Sequence, residues 1–167
     1  MKPLIIFITL LIFIGCSAKK SDNELLDEAQ INLQQQKYPE AVLAFENLVN
    51  DYPESKLAPL ALSKLASIYQ NKQIKNLSEQ QNLEKAVELF KKLHDEYPSS
   101  EYAASGLFMA GFIYANELQN FDEATKCYQQ FLKEYPDNEL ASSAQAELDN
   151  MGLTPEEILH KKLANEN

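Results

Sequence analysis

Residues able to carry out acid–base or metal chemistry are few in this chain, and their spacing does not group them. The two histidines do not share a metal-ligand spacing, because His94 is expected on the outer face of its helix and His160 lies in the terminal segment. Only four glycines occur, and none belongs to a phosphate-binding loop. Carboxylates cluster from Asp22 to Glu28 at helical spacing, which is typical of a solvent-exposed helix face. We therefore expect no enzyme, metal site, cofactor or small-molecule substrate.

Cys16 ends the strongly hydrophobic segment that opens the chain. Residues 1–15 carry one lysine and an apolar run from Leu4 to Ile14, which is too short to span a bilayer and is typical of a secretory signal. The run ends in the sequence FIGC, which resembles the lipobox of bacterial lipoproteins. That resemblance implies that Cys16 is acylated as the mature N-terminus, and Ser17 resembles the second residue of lipoproteins sorted to the outer membrane. The alternative is an ordinary export signal with an incidental cysteine.

The remainder of the chain is predicted to form one helical domain. Residues 16–22 read as a polar tether, residues 23–152 as the domain and residues 153–167 as a short C-terminal helix or tail. Cys127 lies inside the domain and has no disulfide partner if Cys16 is acylated. We expect its thiol to be partly buried in helix packing.

One spacing occurs three times in the domain. An alanine is followed at +4 by an aromatic residue, at +7 by leucine or phenylalanine and at +12 by proline. The first three positions share one face of a helix, and the proline ends that helix. The three copies are Ala41-Phe45-Leu48-Pro53, Ala86-Phe90-Leu93-Pro98 and Ala124-Tyr128-Phe131-Pro136.

A second helix start follows each proline. A residue type favoured at helix N-caps stands at +2, and small residues follow at +5 and +8. Each unit therefore ends one helix and opens the next, with small residues where helices approach closely. The three N-cap candidates are Ser55, Ser100 and Asn138.

This unit resembles the tetratricopeptide repeat (TPR), a helical hairpin of about 34 residues with small, aromatic and proline markers. Its first helix is matched by Leu107, Gly111 and Tyr114 in the third unit, and by Ala66 and Tyr69 in the second. The resemblance implies an all-α fold, a TPR-type α-solenoid of about three helical hairpins. One further helix, from about residue 138 to 151, is expected to cap the last hairpin. Gly152 is its expected C-cap, and Thr154 and Pro155 are expected to open a short final helix.

The second unit contains an insertion from Lys72 to Leu83. Ser78 and Gln81 have the spacing of a capping box, which predicts a longer following helix. The insertion is interpreted as a tolerated loop extension, with a partner contact as the alternative.

The TPR resemblance also implies a binding surface, because the first helix of each hairpin lines a concave groove in TPR proteins generally. Aromatic residues beside amide and hydroxyl groups suit an extended peptide or a partner's helix. The alternative is that the two phenylalanines belong to the core. The predicted groove residues are Phe108, Phe112, Ala115 and Asn116 in the third unit and Ser63, Ser67, Gln70 and Asn71 in the second.

The charge disfavours nucleic acid as a partner, since the net charge is −10 and the chain lacks arginine. The signal, Cys16 and the Tyr-Pro helix ends together resemble the BamD-like TPR lipoproteins of outer-membrane protein assembly. That resemblance implies a scaffold that is lipid-anchored in the outer membrane, faces the periplasm and binds protein partners of the cell envelope. The alternatives are a coordinator like the Tol-Pal-associated TPR protein or a pilotin-like factor for a secretin. An envelope hydrolase or a metal-binding protein is the alternative of another class.

Overall fold

The computed structural model describes residues 19–165, apart from the side chains of residues 162 and 165. The signal segment and Cys16 lie outside the described residues. The described residues are helical and contain no strand, which confirms the predicted all-α class. The helices are α1 Asp22–Gln34, α2 Tyr38–Asp51, α3 Ala58–Gln70, α4 Glu79–Glu96, α5 Ala103–Asn116, α6 Phe121–Glu134, α7 Ala141–Asn150 and α8 Pro155–Asn165.

Consecutive helices pack on one another from α1 to α7 and form three hairpins followed by a single helix. Small residues stand where the helices cross, and Ala41, Ala86 and Ala124 are fully buried. Gly106 of α5 lies so close to α4 that a Cβ there would be 3.0 Å from the Phe90 carbonyl oxygen. The repeated alanine spacing therefore marks the helix crossings of a TPR-like stack.

The Tyr-Pro pairs end the second helix of each hairpin as predicted. The tyrosine that follows α2, α4 or α6 is the C-cap and leaves the helical conformation, with φ of −137°, −128° and −127°. The following proline lacks the N–H that another helical turn would need. These three capping residues are Tyr52, Tyr97 and Tyr135.

The predicted N-caps of the next helices, Ser55, Ser100 and Asn138, are corrected by two residues to Leu57, Tyr102 and Leu140. Turns precede these helices, which begin at Ala58, Ala103 and Ala141 instead of at the polar residues after the prolines. Ser55 Oγ accepts from the Leu57 N–H at 3.1 Å, within such a turn. A short polar side chain thus competes for nearby backbone N–H groups and favours a turn over a helix start.

The insertion is held firmly on the domain. Ser78 and Gln81 form the predicted capping box, and α4 extends over 18 residues. Asn82 is buried, and its Nδ2 donates to the carbonyl oxygens of Ile74 and Ser78, both at 3.0 Å. Lys72 donates to Glu117 Oε2 at 2.9 Å and so joins the insertion to the end of α5.

His94 is buried, and the expectation that it lies on the outer face is wrong. Its side chain bridges α4 and α6, with Nε2 2.7 Å from Glu134 Oε2 and Nδ1 2.8 Å from Asp95 Oδ1. Burial, the largest influence, lowers the pKa of His94, but the hydrogen bonds to the two carboxylates outweigh it and raise the pKa. The hydrogen bond from His94 is the main cause of the lowered pKa of Glu134.

The hydrogen-bonded pair of His94 and Glu134 predicts that the stability of the fold depends on pH. The raised His94 pKa stabilises the fold below pH 6.5, and this gain is lost as pH rises through the folded-state pKa. The lowered Glu134 pKa stabilises it above pH 4.5, and this gain is lost as pH falls through the folded-state pKa. We expect His94→Gln to lower the free energy of unfolding by about 1–2 kcal/mol, mostly between pH 4.5 and pH 6.5. This figure allows for solvent screening of the partly exposed Glu134.

Thermal unfolding of wild type and His94→Gln from pH 4 to pH 9 measures this difference. Glu134→Gln is the matched control and should give a similar profile, because it removes the other half of the pair. A difference in melting temperature that does not vary with pH would contradict the assignment.

No helix among residues 19–165 is both long and apolar enough to cross a bilayer. The C-terminal α8 begins at Pro155 as predicted, after Thr154, whose Oγ1 accepts from the Glu157 N–H at 3.3 Å. Gly152, the predicted cap residue, has φ of +77° and follows the end of α7.

Candidate partner-binding site

The predicted groove residues of α5 are Phe108, Phe112 and Asn116. They recur every four residues and therefore follow one side of the helix. Phe108 is half-buried, and its ring packs edge-to-face against Tyr128 at 5.6 Å and Phe131 at 5.8 Å between centroids. Phe108 thus joins the core of the third hairpin while part of its ring remains exposed.

Phe112 is half-buried one turn further along α5, and Asn116 is exposed near the C-terminal end. Asn116 Nδ2 lies 3.3 Å from the Phe112 carbonyl oxygen and 3.4 Å from Glu147 Oε2 of α7. Asn116 therefore links α5 to the helix after the last hairpin. The sequence did not single out Glu147, although it lies next to Leu148 on the predicted capping helix.

The predicted residues of α3 are Ser63, Ser67 and Gln70, and all three are half-buried. Ser67 Oγ donates to the Ser63 carbonyl oxygen at 2.9 Å, so this hydroxyl hydrogen is used within the helix. The hydroxyl oxygen keeps acceptor capacity. Asn71 is exposed beyond the end of α3.

The two rows lie on neighbouring helices, because α3 and α5 contact each other. The repeat alignment pairs Ser63 with Phe108 and Ser67 with Phe112. One row is aromatic and the other is hydroxyl-bearing. We use the name groove face for six residues: Phe108, Phe112, Asn116, Ser63, Ser67 and Gln70.

One further predicted groove residue is not available for contact. Ala115 is only 8% exposed and belongs to the hydrophobic core. It stands four residues after the buried Gly111, on a side of α5 that packs inward. A small apolar residue contributes more there by allowing close helix packing than by contacting a partner.

The groove face rests on a neutral interior. Burial raises the pKa of Tyr128, and the Glu147 carboxylate raises it further, so the phenol stays uncharged. Burial also raises the pKa of Cys127, which keeps its thiol protonated and unreactive at neutral pH. Cys127 is buried in α6, as predicted from its position beside Tyr128.

The groove face combines two kinds of chemical group. Half-buried rings offer apolar area, and neighbouring hydroxyl and amide groups offer hydrogen bonds that orient a ligand. Among residues 19–165, no three His, Cys, Asp or Glu side chains are grouped so as to hold a metal ion.

The stacked hairpins, with small residues at their crossings and a single helix after the last one, define a TPR-type helical-repeat protein. The family described as YfiO, outer membrane lipoprotein, matches residues 18–154. The protein belongs to this family, and the resemblance to BamD-like TPR lipoproteins is confirmed. Membership also confirms the predicted location as a lipid-anchored protein of the outer membrane. A comparison with curated proteins found no match.

Proposed function

We propose that this protein is an outer-membrane scaffold that faces the periplasm and binds an envelope protein through its groove face. Membership in a family of TPR-type scaffold lipoproteins supports a role in outer-membrane protein assembly. We propose that Cys16 carries the lipid, and that the protein acts without a cofactor, nucleic acid, small-molecule substrate or catalytic step.

The observation that carries this proposal is the half-buried pair Phe108 and Phe112 on α5, next to the polar row of α3. An extended segment or a helix of the partner would cover the exposed parts of the rings and exclude water from them. The side chains of Ser63 and Gln70 would then meet polar groups of that segment. Aromatic anchors surrounded by polar contacts are the usual source of binding energy at protein interfaces.

Phe112→Ser separates the binding role of Phe112 from a core role. Phe108 is a poorer choice, because its ring packs on Tyr128 and Phe131. We expect Phe112→Ser to leave the melting temperature nearly unchanged and to weaken partner capture about thirtyfold, since aromatic anchors commonly contribute about 2 kcal/mol or more. The measurements are thermal unfolding and pull-down at matched protein concentrations.

Leu43→Ser is the control, because Leu43 is an exposed apolar residue of α2 and lies outside the groove face. It should leave partner capture unchanged. If Phe112→Ser lowers the melting temperature by several degrees while the folded fraction captures the partner normally, Phe112 belongs to the core and not to the site.

The identity of the captured partner distinguishes assembly from the other envelope roles. Mass spectrometry after mild detergent extraction should identify a component of β-barrel assembly. A Tol-Pal component would instead support an envelope coordinator, and a secretin would support a pilotin-like factor.

A further inference from the structure

The segment before α1 is fixed to the first hairpin. The Tyr52 hydroxyl donates to the Lys20 carbonyl oxygen at 2.6 Å. Lys19 Nζ lies 3.4 Å from Asp51 Oδ1 and 5.0 Å from the centroid of the Tyr52 ring. Lys20 Nζ donates to Glu28 Oε2 at 2.7 Å. The chain is therefore attached to the C-terminal end of α2 from Lys19 onward.

This attachment leaves little chain between the domain and a lipid on Cys16. Three residue steps separate Cys16 from Lys19. Because consecutive Cα atoms are about 3.8 Å apart, the two Cα atoms are at most about 11 Å apart. The acyl chains would enter the bilayer at Cys16, so the first hairpin must lie at or next to the headgroup layer.

The first hairpin also carries an exposed aliphatic residue that departs from the repeat pattern. Leu43 of α2 is 59% exposed, and the equivalent positions of α4 and α6 hold the exposed charged residues Glu88 and Lys126. Ile31 of α1 is 52% exposed. At the Leu43 position α2 thus presents an apolar side chain where the other second helices present charge.

Leu43 and Ile31 lie on the surface that also carries the fixed segment. Leu43 lines a groove of about 490 Å³ between α1 and α2 together with Lys19, Lys20 and Glu28. Ile31 lines the neighbouring depression, which again includes Lys20 and Glu28. We call the surface formed by these five residues the membrane face.

The lysines of the membrane face are paired, and the carboxylates Glu24, Asp27 and Glu40 line the same two depressions. Lys19 is close to Asp51, and Lys20 is paired with Glu28, so the two lysines have little net charge to offer an anionic lipid. Contact with lipid would come from exposed aliphatic side chains and a short covalent attachment. Such contact suits the interfacial region of a zwitterionic bilayer.

We propose that the first hairpin docks on the lipid surface through the membrane face, so that the repeat stack extends away from the bilayer from a fixed end. This inference rests on the proposed acylation of Cys16. The lipid anchor would then set the orientation of the groove face as well as the location of the protein.

Tryptophan fluorescence tests this proposal, because the chain contains no tryptophan. Leu43→Trp is introduced into the full-length lipidated protein, which is reconstituted in zwitterionic phosphatidylcholine vesicles with nitroxide-labelled lipids. We expect a blue-shifted emission that is quenched by labels near the headgroups. Phe121→Trp, at an exposed site of the third hairpin, is the matched control and should not be quenched.

Two results would overturn the proposal. An unquenched Leu43→Trp in vesicle-bound protein would mean that solvent or a protein partner covers the membrane face. Equal quenching of Leu43→Trp and Phe121→Trp would mean that the protein lies flat on the bilayer. If Leu43→Trp does not fold by circular dichroism, Ile31→Trp replaces it with the same expected quenching.

Failure of the membrane face and failure of the proposed function give different results. Mass spectrometry of the reconstituted wild type shows whether Cys16 is acylated, and pull-down shows whether a partner binds. A lipidated protein that captures its partner but leaves Leu43→Trp unquenched contradicts only the membrane face.

Discussion

Phe90→Ala is expected to destabilise the domain by about 3–5 kcal/mol, the usual cost of the cavity left by a buried phenylalanine. Phe90 is 4% exposed in α4, in the helix face that the repeated alanine spacing defines. For a domain of this size the loss lowers the melting temperature by roughly 10 °C or more. The melting temperature is measured by thermal unfolding monitored with far-UV circular dichroism. The folded protein should give a mainly helical spectrum.

The cavity cannot close by moving the helices together. A Cβ on Gly106 of α5 would lie 3.0 Å from the Phe90 carbonyl oxygen and 3.2 Å from Leu93 Cδ2. The backbones of α4 and α5 are thus already at their closest approach beside the substituted side chain. A site that cannot collapse keeps most of its empty volume, which places the cost toward the upper end of the range.

Glu88→Ala is the matched control on the same helix, because Glu88 is exposed and forms a surface ion pair with Lys85. We expect it to change stability by less than about 0.5 kcal/mol. Phe90→Ala and Glu88→Ala melting at the same temperature would be incompatible with the hairpin packing described above.

Cys16→Ala is expected to abolish acylation and membrane retention. The segment before the described residues contains the signal pattern and the FIGC sequence, and Cys16 is its cysteine. One acyl chain binds a bilayer only marginally, whereas several hold a protein stably, so removal of the acylated residue should release the domain. Fractionation followed by an alkaline wash, with intact mass spectrometry of wild type, measures both effects.

Cys127→Ala provides the control for cysteine loss as such. Cys127 is buried in α6, so its replacement should leave the lipid and the membrane fraction unchanged. The lipoprotein assignment fails if Cys16→Ala remains in the washed membranes and the wild type carries no lipid.

The second helix of each hairpin was predictable from sequence, because its determinants are local. The alanine, the aromatic residue and the Tyr-Pro end act within one helix, and α2, α4 and α6 end immediately before Tyr52, Tyr97 and Tyr135. The capping box of Ser78 and Gln81 is likewise local, and the structure contains it.

The first helices were predicted less well, because two local preferences compete after each proline. Ser55 has the residue type of an N-cap, but its side chain binds the backbone two residues later and forms a turn before α3. Propensity alone does not decide between a cap and a turn. The start of α3 is instead set by the burial of Ala58 and the residues that follow it.

The burial of His94 was missed although the repeat contains a signal for it. His94 stands eight residues after Ala86, and the residues eight after Ala41 and Ala124 are Val49 and Leu132. Two apolar equivalents indicate an inward position. The Glu134 partner comes from another helix, so its contact with His94 depends on tertiary packing that one helix does not encode.

The groove face was also predicted only in part, because sequence spacing does not show how neighbouring helices pack. The repeat pattern placed Phe108 and Phe112 on one side of α5, but the ring contacts of Phe108 with Tyr128 and Phe131 depend on how α6 packs. Sequence spacing does not distinguish an aromatic ring that packs in the core from one that binds a partner, because both kinds occur at intervals of four residues. The partner-binding role of these residues stays a prediction.

A photo-crosslinking amino acid at position 112 tests the central claim most directly, because it reports contact with a partner in the intact cell envelope. The same probe at position 88, an exposed site of α4 outside the groove face, serves as the reference. Irradiation is predicted to give one discrete adduct with an envelope protein from position 112 and none from position 88. No adduct at position 112, or the same adduct from both positions, would contradict a scaffold that binds its partner through the groove face.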